Sequence, residues 1–182
     1  MKAALLLALC LVAGAATAFE PAEAIEAEGL SNFYRVSPTL YRSAMPDEPG
    51  FAALQAMSIA TVLSLRWDAD PEGATPQAGP RRLHIPIRTW DLDEDHVIEF
   101  LRLATDPANQ PMLVHCKHGA DRTGTMVAAY RIVVQGWSKD DALAEMKTEL
   151  YQHHWLWINL RRFVRNLDVE RIRLAVGIEA PN

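Results

Sequence analysis

The sequence predicts an α/β fold, in which a central, mostly parallel sheet is flanked by helices and the C-terminal half is helical. Two short apolar runs, residues 60–65 and 111–115, have the length and composition of buried strands. An amphipathic segment at residues 93–104 lies between them, with its apolar residues on one face. From residue 123 onward the pattern is helical. Strands that alternate with helices in this way are typical of an α/β domain.

Turn residues and helix caps delimit the remaining elements. Ser37-Pro38 separates two short strands, and the proline- and glycine-containing residues 67–80 predict a long loop. Gly136 is expected to end one helix and Ser138 to cap the next. The predicted elements are strands at 32–36, 39–44, 60–65, 83–87 and 111–115, and helices at 51–57, 93–104, 123–135, 155–166 and 169–176. A further helix is predicted to follow the Ser138 cap and to bury Ala142, Leu143 and Met146.

Residues 1–18 have the layout of a secretory signal peptide. Met1 and Lys2 give a positive start, an almost unbroken apolar run follows, and Ala16-Thr17-Ala18 matches an A-x-A cleavage site. An uncleaved membrane anchor is the alternative, but the apolar run is short for a bilayer span and no basic cluster follows it. We therefore expect cleavage after Ala18, a periplasmic or secreted location, and no integral membrane segment in the mature chain.

The chain divides into this signal peptide, a flexible arm at 19–31 that is rich in alanine and glutamate, and one domain at 32–178. Removal of Lys2 changes the net charge from −5 to −6, and no long basic run exists, so nucleic acid is not an expected partner. Cys10 leaves with the signal peptide, so the mature chain keeps only Cys116. A lone cysteine in an exported protein is retained for packing or for reactivity.

Residues 115–124, His-Cys-Lys-His-Gly-Ala-Asp-Arg-Thr-Gly, lie between a predicted strand and a predicted helix. A loop of this length can curl so that its backbone N–H groups point inward and, with the helix N-terminus, bind a tetrahedral anion. Gly119 allows the tight curl, and the planar guanidinium of Arg122 can hold two phosphate oxygens. The predicted phosphate-binding residues are Lys117, His118, Gly119, Ala120, Asp121 and Arg122.

The same loop suits Cys116 for nucleophilic catalysis. Inward amides, the helix dipole and the Arg122 guanidinium favour a thiolate, which would lie under the phosphate and attack phosphorus in line. Water would then hydrolyse the cysteinyl-phosphate. Thr123 can hydrogen-bond the sulfur and help it to leave, and His115 is placed to orient the loop. The alternative is a buried cysteine that happens to lie near an arginine, but Gly119 and Thr123 argue against it.

This segment resembles the H-C-x5-R-[S/T] loop of the protein tyrosine/dual-specificity phosphatase superfamily. Residues 32–46 and 130–137 are similar to segments of bacterial periplasmic tyrosine phosphatases of the TpbA type. The resemblance implies a single-domain cysteine-phosphatase fold and a two-step mechanism without a metal or other cofactor. It also implies a general acid on a separate upstream loop. The expected substrate is a phosphorylated protein or peptide that carries phosphotyrosine and, in addition, phosphoserine or phosphothreonine.

The acidic stretch at residues 91–95 contains the candidates for the general acid, which protonates the leaving oxygen and then activates water. Asp91 best matches the acid of the family, because it follows a predicted strand and precedes a predicted helix. Asp93 is the expected N-cap of that helix, and it stays the alternative acid.

The residues at the rim of the loop do not decide between classes of substrate. Lys117, His118 and Asp121 should tune substrate choice, and Lys117 and Asp121 would also fit an anion-rich pocket. A phosphoinositide or inositol-phosphate phosphatase is therefore one alternative. A phosphoprotein-binding pseudophosphatase, with the loop but without a working acid, is another. Arg42 could support the loop or form an ordinary surface ion pair.

Overall fold

The computed structural model describes residues 20–68, 79–148 and 157–180. Its sheet contains β1 (Glu23–Ala24), β2 (Tyr34–Arg35), β3 (Leu40–Ser43), β4 (Thr61–Ser64), β5 (Arg81–His84) and β6 (Met112–His115) in the order β1-β2-β3-β6-β4-β5. The pairs β3–β6, β6–β4 and β4–β5 are parallel, and β1–β2 and β2–β3 are antiparallel. The sheet is therefore mostly parallel, which confirms the predicted fold class.

Strand β6 is the centre of the sheet and is buried along its whole length. Its sequence, Met-Leu-Val-His, has no alternation of polar and apolar residues, as expected for a strand covered on both faces. The carboxyl ends of β3, β4 and β6 lie side by side, because all three run in the same direction. Ligands of open parallel sheets bind beyond these ends, and Cys116 is the first residue beyond β6.

The helices are α1 (Glu48–Ala56), α2 (Glu94–Thr105), α3 (Asp121–Val133), α4 (Lys139–Met146), α5 (Ile158–Asn166) and α6 (Val169–Val176). A short 3-10 turn at Pro107–Asn109 follows α2. Helix α3 is buried at nearly every position and packs against α2, α4, α5 and α6. No helix within the described ranges is long and apolar enough to cross a bilayer.

Side chains cap four of these helices at their N-termini. Asp47, Asp93, Ser138 and Asp168 each accept a hydrogen bond from a backbone N–H in the first turn. Each satisfies one of the donors that a helix N-terminus otherwise leaves without a partner. The predicted cap at Ser138 is thereby confirmed, and so is the predicted cap at Asp93.

Most described elements lie within two residues of their predicted bounds, but one helix and one strand are shifted by three residues at one end. Helix α1 begins at Glu48 rather than at residue 51, because Asp47 provides the cap and a proline is well tolerated in the first turn. Strand β5 lies at Arg81–His84 rather than at 83–87. It is the outermost strand beside β4, so its charged side chains face solvent and the apolar residues that follow it contribute to the core instead.

The N-terminal arm, for which the sequence predicts flexibility, is paired with the domain over part of its length in the structure. Its residues 23–24 form β1, which pairs with β2, and Leu30 is buried. The backbone N–H of Ala22 donates to Oε1 of Glu145 at 2.9 Å. Glu145 is itself buried in an ion pair with Arg131, whose Nη2 lies 2.6 Å from Oε1. A buried carboxylate requires several donors, and the arm supplies one. The predicted signal peptide, most of the predicted loop at 67–80 and the predicted start of α5 lie outside the described residues.

Candidate active site

The phosphate loop, residues 116–121, connects the carboxyl end of β6 to the N-terminus of α3. Cys116 is 3% exposed, so its side chain is buried rather than on the surface. Gly119 has φ +68°, a left-handed conformation that glycine adopts without strain. The structure thus places the predicted nucleophile between the end of a strand and the start of a helix.

Arg42, on β3, binds the backbone of this loop. Its guanidinium is buried and Nη2 donates to the carbonyl oxygen of Gly119 at 2.5 Å. The Tyr34 ring lies beside it, with the Arg42 Cζ 6.0 Å from the ring centroid. Of the two roles considered for Arg42, support of the loop agrees with this geometry and a surface ion pair does not.

The scaffold also binds the two preceding carbonyls of the loop. Nδ2 of Asn32 donates to the oxygen of His118 at 2.9 Å, and the Met45 N–H donates to the oxygen of Lys117 at 3.3 Å. In a trans peptide the C=O of one residue and the N–H of the next point in opposite directions. Because these carbonyls face the scaffold, the N–H groups that follow them face the interior of the loop. This is the carbonyl arrangement that the predicted anion-binding nest requires.

Arg122 is half-buried in the first turn of α3. Its Nη1 donates to the carbonyl oxygens of Leu65, at 3.2 Å, and Ile87, at 3.1 Å. Within the described parts of the chain no side-chain or backbone acceptor binds its Nε or Nη2. These bonds fix the orientation of the guanidinium plane. The edge formed by Nε and Nη2 stays available for a bidentate contact with an oxyanion.

The other predicted loop residues occupy distinct environments. Lys117 and His118 are exposed, Ala120 and Asp121 are buried, and Nδ1 of the buried His115 lies 3.3 Å from the Cys116 carbonyl oxygen. His115 is therefore placed to orient the loop. The hydroxyl of Thr123 is buried and has no hydrogen-bond partner among the described residues, the Cys116 sulfur included. Those residues include no cluster of side chains suited to hold a metal ion.

The two candidate acids lie on the segment between β5 and α2. Asp91 is exposed and closes a turn, in which its N–H donates to the carbonyl oxygen of Arg88 at 2.9 Å. Asp93 caps α2, where its Oδ1 accepts from the His96 N–H at 3.1 Å and lies 2.6 Å from His96 Nδ1. No contact joins Asp91 to the phosphate loop within the described residues.

Asp93 is poorly suited to donate a proton at neutral pH. Partial burial acts to raise its pKa, but the hydrogen bond from the His96 backbone and the charge of His96 outweigh it, so the pKa is lowered. A general acid needs a carboxyl group that keeps its proton near the working pH. Asp93 therefore fits its capping role, and Asp91 is the better candidate for the acid.

Sequence reasoning missed Arg66 and Asp68, which follow β4 next to the loop. Arg66 binds Asp68 through Nε and Nη2, and its Nη1 contacts the sulfur of Met45. The pKa of Asp68 is lowered mainly by its hydrogen bond with Arg66, with a smaller contribution from the charge of Arg122. Their position directly after a buried parallel strand is the sequence feature that could have identified them as residues near the site.

Comparisons with known proteins show the family of the chain. Residues 29–174 match the tyrosine phosphatase family. The chain is 40% identical, over 158 residues, to the dual specificity protein phosphatase TpbA of Pseudomonas aeruginosa, covering 86% of this chain and 72% of that protein. It is 29% identical to the inositol diphosphatase DSP5 of Arabidopsis thaliana, covering 78% of this chain and 72% of that protein.

Solved structures show the same relationship. The crystal structure of P. aeruginosa TpbA superposes with a TM-score of 0.77 at 39% identity, covering 86% of this chain and 96% of that one. The catalytic core of the yeast PP-IP phosphatase SIW14 has a TM-score of 0.74 at 21% identity, covering 84% and 94%, and so shares the fold. The chain belongs to the tyrosine phosphatase family and is a phosphatase of the tyrosine/dual-specificity type.

Proposed function

We propose that the chain hydrolyses phosphotyrosine in proteins or peptides through a cysteinyl-phosphate intermediate. The observation that carries this proposal is the loop itself, with Cys116 buried, three loop carbonyls bound by the scaffold and the guanidinium of Arg122 anchored through Nη1 alone among the described residues. A mutant of the related TpbA, which is 38% identical, has been solved in complex with phosphotyrosine. Activity toward phosphoserine and phosphothreonine would make the enzyme dual-specific.

In the first step the Cys116 thiolate attacks phosphorus, and the bond from phosphorus to the tyrosine oxygen breaks. Asp91 gives its proton to that oxygen, so tyrosine leaves as a neutral phenol. The loop amides and Arg122 hold the equatorial oxygens, on which negative charge stays throughout.

In the second step water replaces tyrosine. The Asp91 carboxylate takes a proton from water as its oxygen bonds to phosphorus, and the bond from phosphorus to sulfur breaks. Phosphate leaves, Cys116 is again a thiolate and Asp91 is again protonated. The buried hydroxyl of Thr123, which has no partner among the described residues, is available to donate to the departing sulfur.

Two variants test this mechanism. Cys116→Ser should abolish turnover but still bind phosphotyrosine peptide, because the amides and Arg122 remain. Rapid quenching of the wild-type enzyme with ³²P-labelled substrate should trap labelled protein, whose label is absent in Cys116→Ser. A Cys116→Ser enzyme that keeps its rate would refute the cysteine mechanism.

Asp91→Asn should lower kcat/KM for phosphotyrosine, which reports the step in which tyrosine leaves, by about 10²–10⁴-fold. The loss should shrink for an activated aryl phosphate, whose leaving group needs little protonation. An Asp91→Asn enzyme with the wild-type rate on phosphotyrosine would refute the acid assignment. Wild-type protein that binds phosphopeptide without turnover would instead support a pseudophosphatase.

A second candidate substrate is an inositol phosphate. The exposed Lys117 and His118 place cationic or polar groups at the mouth of the loop, and the related DSP5 is named an inositol diphosphatase. Comparing kcat/KM for phosphotyrosine peptides and inositol phosphates on the same preparation decides between the two classes. The proposal is wrong about substrate if inositol phosphates are turned over at least 10²-fold more efficiently.

We also propose that the mature enzyme is exported. The sequence of residues 1–18 supports this, because it combines a positive start, an apolar run and an A-x-A site. The mature protein should begin at Phe19 and appear in the envelope fraction. Intact mass spectrometry of protein from the native host tests the proposal, and a soluble cytoplasmic chain that retains Met1 would contradict it.

A further inference from the structure

Asn159, in helix α5, forms a hydrogen bond with the turn that carries Asp91. Nδ2 of Asn159 donates to the carbonyl oxygen of Thr89 at 2.9 Å. Thr89 lies inside the turn that the Asp91 N–H closes on the Arg88 carbonyl at 2.9 Å. A donor 70 residues away in sequence therefore holds the peptide just upstream of the candidate acid.

This bond lies between two other hydrogen-bonded anchors on the segment. Upstream, Arg122 Nη1 holds the Ile87 carbonyl at 3.1 Å. Downstream, Asp93 is fixed as the cap of α2. Asp91 lies between the second and third anchors, and its side chain is exposed. Within the described residues, Arg88 also packs on the Trp67 ring, with its Cζ 3.3 Å from the centroid, and Leu92 packs against the core, but the Asn159 bond is the one that holds the Thr89 carbonyl.

Helix α5 is a rigid platform for this contact. Leu160 and Val164 are 1% and 0% exposed, so the helix is fixed against the core close to Asn159. Asn159 itself is exposed and contributes little to its own helix, because asparagine is a weaker helix former than alanine or leucine. Within the described residues, the interaction that the structure shows for this side chain is its hydrogen bond to the Thr89 carbonyl oxygen.

We propose that Asn159 is a positioning residue for the general acid. The inference rests on the proposed function, in which Asp91 protonates the leaving oxygen. A general acid must come within hydrogen-bond reach of that oxygen, and a misplacement of about 1 Å can cost about 10²-fold in rate. Asn159 acts through the backbone of Thr89, and so it does not touch the substrate.

The test compares leaving groups. Asn159→Leu keeps the approximate shape, favours the helix and removes the donor; Asn159→Ala is the second variant. Both should lower kcat/KM for phenyl phosphate, whose phenol is a poor leaving group, by about 10-fold, since kcat/KM reports only the steps up to departure of the leaving group. Both should change kcat/KM for 2,4-dinitrophenyl phosphate by less than about 2-fold, because this leaving group needs no proton. Asn166→Ala, at the exposed far end of the same helix, is the matched control and should leave both rates unchanged.

A double mutant separates positioning from general damage. In an Asp91→Asn background there is no acid left to position, so Asn159→Leu should cost little more. A further loss of the full 10-fold, or equal losses on both substrates, would overturn the inference. If Asp91→Asn shows no dependence on leaving group, the acid assignment itself fails. If Asp91→Asn depends on the leaving group but the Asn159 variants do not, the acid assignment stands and only the positioning role of Asn159 fails.

Discussion

The loop conformation at Gly119 leads to a quantitative prediction. A Cβ added there would lie 2.5 Å from the carbonyl carbon and oxygen of Ser43 and 2.6 Å from the Ala44 nitrogen. These are backbone atoms of the central sheet region, so they cannot rotate away. To reach the 3.4 Å at which ordinary contact begins, the loop of Gly119→Ala must move by about 0.9 Å.

That displacement takes the loop away from β3 and lengthens the bond from Arg42 to the Gly119 carbonyl. A shift of this size at a catalytic loop lowers the rate by about 10²-fold. The left-handed conformation adds about 1–2 kcal/mol of strain for a residue with a Cβ. We therefore expect Gly119→Ala to lose at least 10²-fold in kcat/KM toward p-nitrophenyl phosphate while it stays folded.

Gly177→Ala is the matched control. Gly177 also has a positive φ, +79°, but a Cβ there meets nothing within 4 Å. Gly177→Ala should unfold at a lower temperature than the wild type, because of the strain of the left-handed conformation, but it should keep the wild-type kcat/KM. The reasoning is refuted if Gly119→Ala keeps the wild-type kcat/KM, or if Gly177→Ala loses as much activity.

Two further predictions concern stability. Glu145→Gln should destabilise the protein by about 3–5 kcal/mol in urea unfolding, because it leaves the buried Arg131 without its counter-charge; an unchanged midpoint would contradict this. The lowered pKa of Asp93 means that its stabilising contribution is present at neutral pH and is lost as the pH falls below about 4. Asp93→Asn should therefore flatten the acid side of the stability profile, which thermal melts from pH 7 to pH 3 can measure.

How much of the molecule was predictable depends on whether a feature is local in sequence. The phosphate loop, the central strand and the caps at Asp93 and Ser138 could be predicted because each is encoded within a few neighbouring residues. The order of the arm at 20–31 could not, since it depends on Glu145, more than a hundred residues away.

The support of the site is similarly non-local. The bonds from Arg42 to the Gly119 carbonyl and from Asn159 to the Thr89 carbonyl join distant segments through backbone oxygens, which carry no residue signature. The Arg122 anchors at Leu65 and Ile87 are of the same kind. Sequence motifs identify the groups that do chemistry, whereas these contacts emerge only from the topology.

The position of β6 has a consequence for the order of assembly during synthesis. Strands β3 and β4 are made first, yet each pairs with β6 on its inner side, so both keep an open hydrogen-bonding edge until residue 115 has been made. Such edges invite pairing with other chains. Nascent chains that end before β6 should therefore be prone to aggregate rather than to form a smaller domain. Cys116, the proposed nucleophile, is one residue further on, and so it is synthesised directly after the strand that completes the sheet.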